Sequence, residues 1–162
     1  MNIIVVAMTK DGIIGKNGSL PWRIPNELKH FKNLTLDSTV VMGRTTFISL
    51  RRENGLPDRK NIVLTSSFIE HGDNVILVPS LKDVYYAKDV FVKTCYIGGA
   101  MLYDSALKAG IIEEMHISEI KGMYDGDTRF PVYDEKQWKI SHYEDKGDFF
   151  YKILTRIESR KL

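Results

Sequence analysis

Apolar positions along the chain come in short runs separated by glycine, proline and small polar residues. Ile3 to Met8 is apolar at every position, and such a run reads as a strand buried on both faces. Thr39 to Met42, Asn61 to Leu64, Asn74 to Val78 and Thr94 to Ile97 are shorter runs and read as further strands. Helical segments lie between them: Pro25 to Leu36 with proline in its first turn, one from Arg44, one from about Ser80, and one after Gly98-Gly99. Glu113 to Ile120, Lys139 to Glu144 and Phe149 to Ile157 read as closing strands, the last two joined as a hairpin through Asp145-Lys146-Gly147-Asp148. The order predicts an α/β fold: a central mixed, mostly parallel β-sheet with helices on both faces and an antiparallel C-terminal hairpin. Ligands of such sheets bind outside the carboxyl ends of the strands, so residues directly after strands carry the chemistry.

Composition narrows the picture. The 162 residues are 43% hydrophobic and 27% charged, which suits one domain spanning 1–162 with a real core and excludes a disordered chain. A net charge of +2 points to neither a nucleic-acid nor a membrane partner. The charge is uneven, however: residues 16–60 hold nine basic and four acidic side chains, a net of +5, which suits a face that binds anions. The lone cysteine, Cys95, lies in the run Thr94-Cys95-Tyr96-Ile97 and reads as a buried structural thiol in a reducing compartment. The apolar run at the amino terminus is too short for a signal core or a membrane span, so a cytoplasmic protein is expected.

Three strand ends carry small or anion-friendly residues. Gly43-Arg44-Thr45-Thr46 follows one strand, Thr65-Ser66-Ser67 another, and Gly98-Gly99-Ala100 a third. Glycine allows a close backbone approach, and a helix start offers free N–H groups to phosphate. Together they suggest a phosphate-rich dinucleotide, although the G-x-G-x-x-G fingerprint is absent. A long irregular stretch, Thr9 to Pro25, contains Gly12, Gly15, Gly18 and Trp22 and reads as a lid or binding loop. On a helical wheel Ile24, Leu28, Phe31 and Leu34 form the apolar stripe of the first helix, with Lys29, His30 and Asn33 on the polar side. Glu27 falls between Phe31 and Leu34. A carboxyl on an apolar face has a raised pKa and suits a proton donor near neutrality; a first-turn acid complementing the helix dipole is the plainer alternative.

These features together resemble dihydrofolate reductase over nearly the whole chain. The matching segments are Asp11-Gly12-Ile13-Ile14-Gly15, Leu20-Pro21-Trp22, the helix with Glu27 and Phe31, Val41 to Phe47, Leu56 to Asn61, Ile97 to Tyr103 and Gly126 to Pro131. The resemblance implies NADPH-dependent reduction of 7,8-dihydrofolate to tetrahydrofolate in one-carbon metabolism, by a monomer that also binds antifolates. It implies a catalytic set of Glu27, Trp22 and Ser118, with Glu27 holding the pterin and supporting protonation of N5. Val5, Val6, Leu28, Phe31, Leu50 and Ile97 would wall the substrate site, and Arg59 would pair with the substrate's α-carboxylate. Gly43, Arg44, Thr45, Thr46, Leu64, Thr65 and Ser66 would surround the adenosine phosphates, with Arg44 and Ser66 favouring the 2′-phosphate. Gly98, Gly99, Ala100, Met101, Leu102 and Tyr103 would border the pyrophosphate, with a cis peptide between the two glycines. Ala7, Ile14, Gly15, Ser19 and Leu20 would cover the nicotinamide, joined by Thr128, and Asp127 would steady that loop. No metal is implied.

Some positions depart from the family pattern. Glu27 stands where many bacterial members have aspartate, Ala100 where some have a third glycine, and Pro79 where some have a basic residue; Arg51 to Gly55 is longer than usual. The related pyrimidine reductase of riboflavin synthesis and a non-catalytic pterin- or dinucleotide-binding protein are the alternatives. The Pro-Trp loop and Glu27 count against both.

Overall fold

The apolar amino-terminal run becomes the central strand. In the computed structural model, which describes residues 1–157, β1 (Asn2–Thr9) pairs in parallel with β6 (Thr94–Tyr96) on one side and β7 (Glu114–Ile120) on the other. Outward from β6 lie β3 (Thr39–Gly43), β4 (Lys60–Leu64) and β5 (Val75–Val78), all parallel. Outward from β7 lies β10 (Phe149–Arg156), antiparallel to it, and then β9 (Trp138–Asp145), antiparallel to β10. The expected mixed sheet with its C-terminal hairpin is thus formed, eight strands wide in the order β5-β4-β3-β6-β1-β7-β10-β9. The last five residues of the expected domain lie outside the described residues.

Alternation along β1 divides the core. Ile3 and Val5 join Val40, Met42 and Cys95 on the face that packs against α1 (Pro25–Thr35) and α2 (Arg44–Leu50). Ile4 and Val6 join Tyr96, Leu102 and Met115 on the face that packs against α3 (Leu81–Ala87) and α4 (Ala100–Lys108). Neighbouring strand residues point to opposite faces, so Val5 and Val6 cannot share one pocket through their side chains. Cys95 is buried, with its Sγ 3.4 Å from Ser38 Oγ.

The stretch from Thr9 to Pro25 is more ordered than its composition suggests. β2 (Ile13–Gly15) pairs antiparallel with β8 (Thr128–Arg129) as a second, two-stranded sheet. Beyond it Lys16 and Ser19 exchange backbone hydrogen bonds of 2.8 and 3.1 Å around Asn17 and Gly18. Both central residues have positive φ, 51° and 78°, as a type I′ turn requires. Strands this short have no hydrophobic period of their own; the Asn17-Gly18 pair was the one legible signal. No helix among the described residues is long and apolar enough to cross a membrane.

Candidate active site

Helix α1 buries its acid and leaves Leu28 out. Pro25 opens the helix and Glu27 sits in its first turn, 5% exposed, whereas Leu28 is 47% exposed. An amphipathic helix normally does the reverse. The buried arc is centred on Glu27 and runs from half-buried His30 and Phe31 to Leu34 and buried Thr35. Burial pushes the Glu27 carboxyl above its ordinary pKa of 4.5, and the Ser118 hydroxyl, facing it from β7, pulls it partly back. Ser118 is itself buried.

Two further buried groups stand in this region. Tyr103 on α4 donates its hydroxyl hydrogen bond to the Val5 carbonyl at 2.9 Å. Burial first, and the Glu27 charge second, push its phenol well above the usual value, so it stays a neutral donor. Trp22 is 6% exposed, packs edge-on to Tyr124 at 5.5 Å, and leaves its indole Nε1 without a partner. An unpaired buried N–H costs about 1–3 kcal/mol, so this donor is open to a water or ligand partner.

The wall beyond Glu27 is apolar. Val5, Phe31, Leu50 and Ile97 pack in the core cluster of the α1 side, next to exposed Leu28. Val6 is turned to the other face of the sheet. Arg59 closes the far end, 6% exposed. Its Nη1 donates to Thr35 Oγ1 at 3.0 Å and its Nε to the Pro57 carbonyl at 2.9 Å. The loop carrying it is clamped by Asn61, whose amide accepts from Leu56 N and donates to the carbonyls of Leu56 and Arg59, all at 2.9 Å. The guanidinium is therefore tied to the last turn of the same helix that carries Glu27.

The glycine turns lie side by side at the carboxyl ends of β3 and β6. Gly43 N donates to the Gly98 carbonyl at 2.8 Å, and the Gly98–Gly99 peptide is cis, as the resemblance implies. Neither α2 nor α4 has a side-chain cap at its N-terminus, so two helix starts present free N–H groups together. Arg44 reaches the next strand end, where Nη1 donates to Ser67 Oγ at 2.6 Å. Ser66, expected beside the 2′-phosphate with Arg44, is the residue next to that partner. Thr65 donates its hydroxyl to the Ser67 carbonyl at 2.9 Å, and this turn presents Ser67 to the arginine. The side chain of Leu102 faces the core, Tyr103 is buried with its hydroxyl end against Gly98, and Met101 is 87% exposed.

A loop pair stands beside the glycine turns. Asp127 N donates to the Gly15 carbonyl at 3.0 Å, and Asp127 Oδ2 accepts from Asn17 N at 2.9 Å. Thr128 Oγ1 donates to Asp127 Oδ1 at 2.9 Å. Ala7, Ile14 and Gly15 lie half-buried next to this sheet, and Ser19 and Leu20 are exposed at its tip. Gly126 has no room for a side chain, because a Cβ there would meet Ile13 and, at 2.6 Å, the Gly15 carbonyl. The structure thus gathers Glu27, Ser118, Trp22 and the apolar wall in one region and the glycine turns in another. Asn17 and the Tyr103–Val5 bond were not singled out from the sequence, and Ser67 was named only within the Thr65-Ser66-Ser67 strand end.

Comparison with known proteins accords with this geometry. The family model described as dihydrofolate reductase matches residues 1–153. The dihydrofolate reductase of Bacillus subtilis is 36% identical over 155 residues, covering 93% of this chain and 90% of that protein. That of Staphylococcus aureus is 37% identical over 147 residues, covering 90% and 87%. A solved dihydrofolate reductase from Enterococcus faecalis, complexed with NADP(H) and RAB-propyl, superposes with a TM-score of 0.86 at 30% identity, covering 98% of this chain and 97% of that one.

Proposed function

The chain belongs to the dihydrofolate reductase family, and from that premise we propose that it reduces 7,8-dihydrofolate to 5,6,7,8-tetrahydrofolate with NADPH. The observation that carries the reading is the inverted first helix. A carboxyl buried on the core-facing side of a helix while Leu28 stays exposed suits a ligand, since its burial costs free energy that core packing does not return.

The donor set suits a dinucleotide phosphate. Two uncapped helix starts, joined by the Gly43–Gly98 bond, offer N–H groups to a pyrophosphate. Arg44, steadied by Ser67, supplies a cation at the neighbouring strand end, as a 2′-phosphate needs. Bound there, NADPH supplies the hydride delivered to pterin C6.

The chain's own residues do the rest. Glu27 accepts from the pterin's amino group and ring nitrogen, and its raised pKa keeps a protonated fraction nearer neutrality for transfer toward N5 through water. Ser118 restrains that carboxyl, and the Trp22 indole N–H is left to orient the substrate side of the site. Val5, Phe31, Leu50, Ile97 and Leu28 cover the apolar body of the substrate. Arg59 offers its remaining N–H groups to the α-carboxylate. The loop pair of Gly15 and Asp127 shields the reacting end from water.

The deciding experiment is NADPH oxidation by the purified protein. Turnover is expected only with dihydrofolate present, and far more slowly with NADH. A folded protein that binds NADPH and shows no dihydrofolate-dependent turnover refutes the reading.

A further inference from the structure

The face of the sheet that carries Ser118 also carries a cluster of rings. Ser118 on β7 stands directly opposite Tyr151 on β10, and side chains paired in this way share one face about 5 Å apart. His30, one turn beyond Glu27 on α1, sets its ring edge-on to Tyr151 at 4.3 Å and meets Phe149 at 5.3 Å. The helix therefore faces the strands at two points, Glu27 toward Ser118 and His30 onto Tyr151.

Tyr151 is itself fixed. Its hydroxyl lies 2.7 Å from His116 Nδ1, and His116 Nε2 lies 3.0 Å from Glu114. A carboxylate only accepts, so Nε2 carries the hydrogen, Nδ1 accepts, and the tyrosine donates. Burial lowers the His116 pKa and pushes Tyr151 up to about 12, which keeps both in these roles near neutrality. From β9, His142 meets the same ring at 5.2 Å, itself 3.2 Å from Glu144, which Lys146 approaches at 3.4 Å.

We propose that Tyr151 is a positioning residue for Glu27: held by His116 and covered by His30, its ring sets the depth of α1 on β7 and β10, and so the place of the Glu27 carboxyl beside Ser118. The proposal rests on the reading of Glu27 as the acid. No direct contact of Tyr151 with substrate or cofactor is needed.

The test is a double-mutant cycle in the full chain, read as kcat, KM and the pH midpoint of kcat in dihydrofolate-dependent NADPH oxidation. Tyr151→Leu should lower kcat roughly 10- to 100-fold, the effect of a small misplacement, with NADPH binding unchanged. It should also move the midpoint toward acid, because water admitted beside Glu27 relieves the burial that raises its pKa. In a Glu27→Gln background the same substitution should cost less than about twofold, since the two act through one group. His30→Leu should behave like Tyr151→Leu, and His30→Phe, which keeps a ring on Tyr151, should restore most of kcat. Tyr143→Leu, on the outer face against Phe150, should change neither kcat nor the midpoint. If Tyr151→Leu loses NADPH binding because it does not fold, His30→Leu decides by the same cycle. Fully additive losses, or an unmoved midpoint, overturn the positioning role and leave Glu27 as the acid. An undiminished kcat in Glu27→Gln overturns the underlying reading instead.

Discussion

The backbone N–H of Asn17 donates to Asp127 Oδ2 across 2.9 Å, and this bond joins two loops 110 residues apart in the chain. Asn17 is the first of the two central residues of a tight turn, and Asp127 is held in turn by Gly15 and Thr128. The tip of the first loop is otherwise exposed, so its placement depends on a few polar contacts rather than on apolar burial.

Asp127→Ala removes the acceptor. Exchange of the Asn17 amide hydrogen should speed up, and kcat should fall, by up to about 10²-fold if the loop places the reacting groups. Thermal stability should hardly change, because Asp127 lies on the surface. Hydrogen exchange and steady-state kinetics check this together. Faster exchange with unchanged kcat would show that the loop is coupled but idle in the reaction.

Arg44 makes one well-formed bond, to Ser67 at 2.6 Å. A guanidinium held in place beside a phosphate contributes about 1.5–3 kcal/mol, or roughly 10- to 150-fold in affinity. Arg44→Leu should therefore weaken NADPH by that factor and leave NADH nearly unchanged, as measured by equilibrium binding of each cofactor. Equal losses for the two would contradict the assignment to the 2′-phosphate.

Much of the frame was legible because it rests on long or repeated signals. Ile3 to Met8 could only be a strand buried on both faces, and glycines after β3 and β6 marked where a ligand approaches. Glu27 was visible because a wheel shows an acid within an apolar arc. His30 was not, since the wheel puts it on the polar side; it is drawn inward by Phe149 and Tyr151, which lie far along the chain. Likewise nothing local shows that Arg44 bonds Ser67; the turn closed by Thr65 brings the two together. Val6 was placed beside Val5 by the family resemblance, and strand alternation separates their side chains.

Glu27 sets turnover against stability. Burial raises its pKa in the folded chain above the ordinary value of 4.5, so the folded state holds this proton more tightly than the unfolded state. Where the folded state binds more protons, stability falls as pH rises. For this group the fall begins near pH 4.5, runs up to the raised folded value, and is constant beyond it. Glutamine is neutral at every pH and of nearly the same shape. Glu27→Gln should thus match the parent's stability at about pH 4 and exceed it increasingly above 4.5, levelling off once the parent's carboxyl is ionised. The same substitution should lower kcat at pH 7 by ~10²–10⁴-fold, the usual contribution of a positioned acid. Thermal melts of both proteins without ligands at pH 4 and pH 8, beside NADPH-oxidation rates, test the two halves. A stability difference independent of pH would mean that the carboxyl is not destabilised by burial, and the raised pKa would then lose its role in supplying the proton.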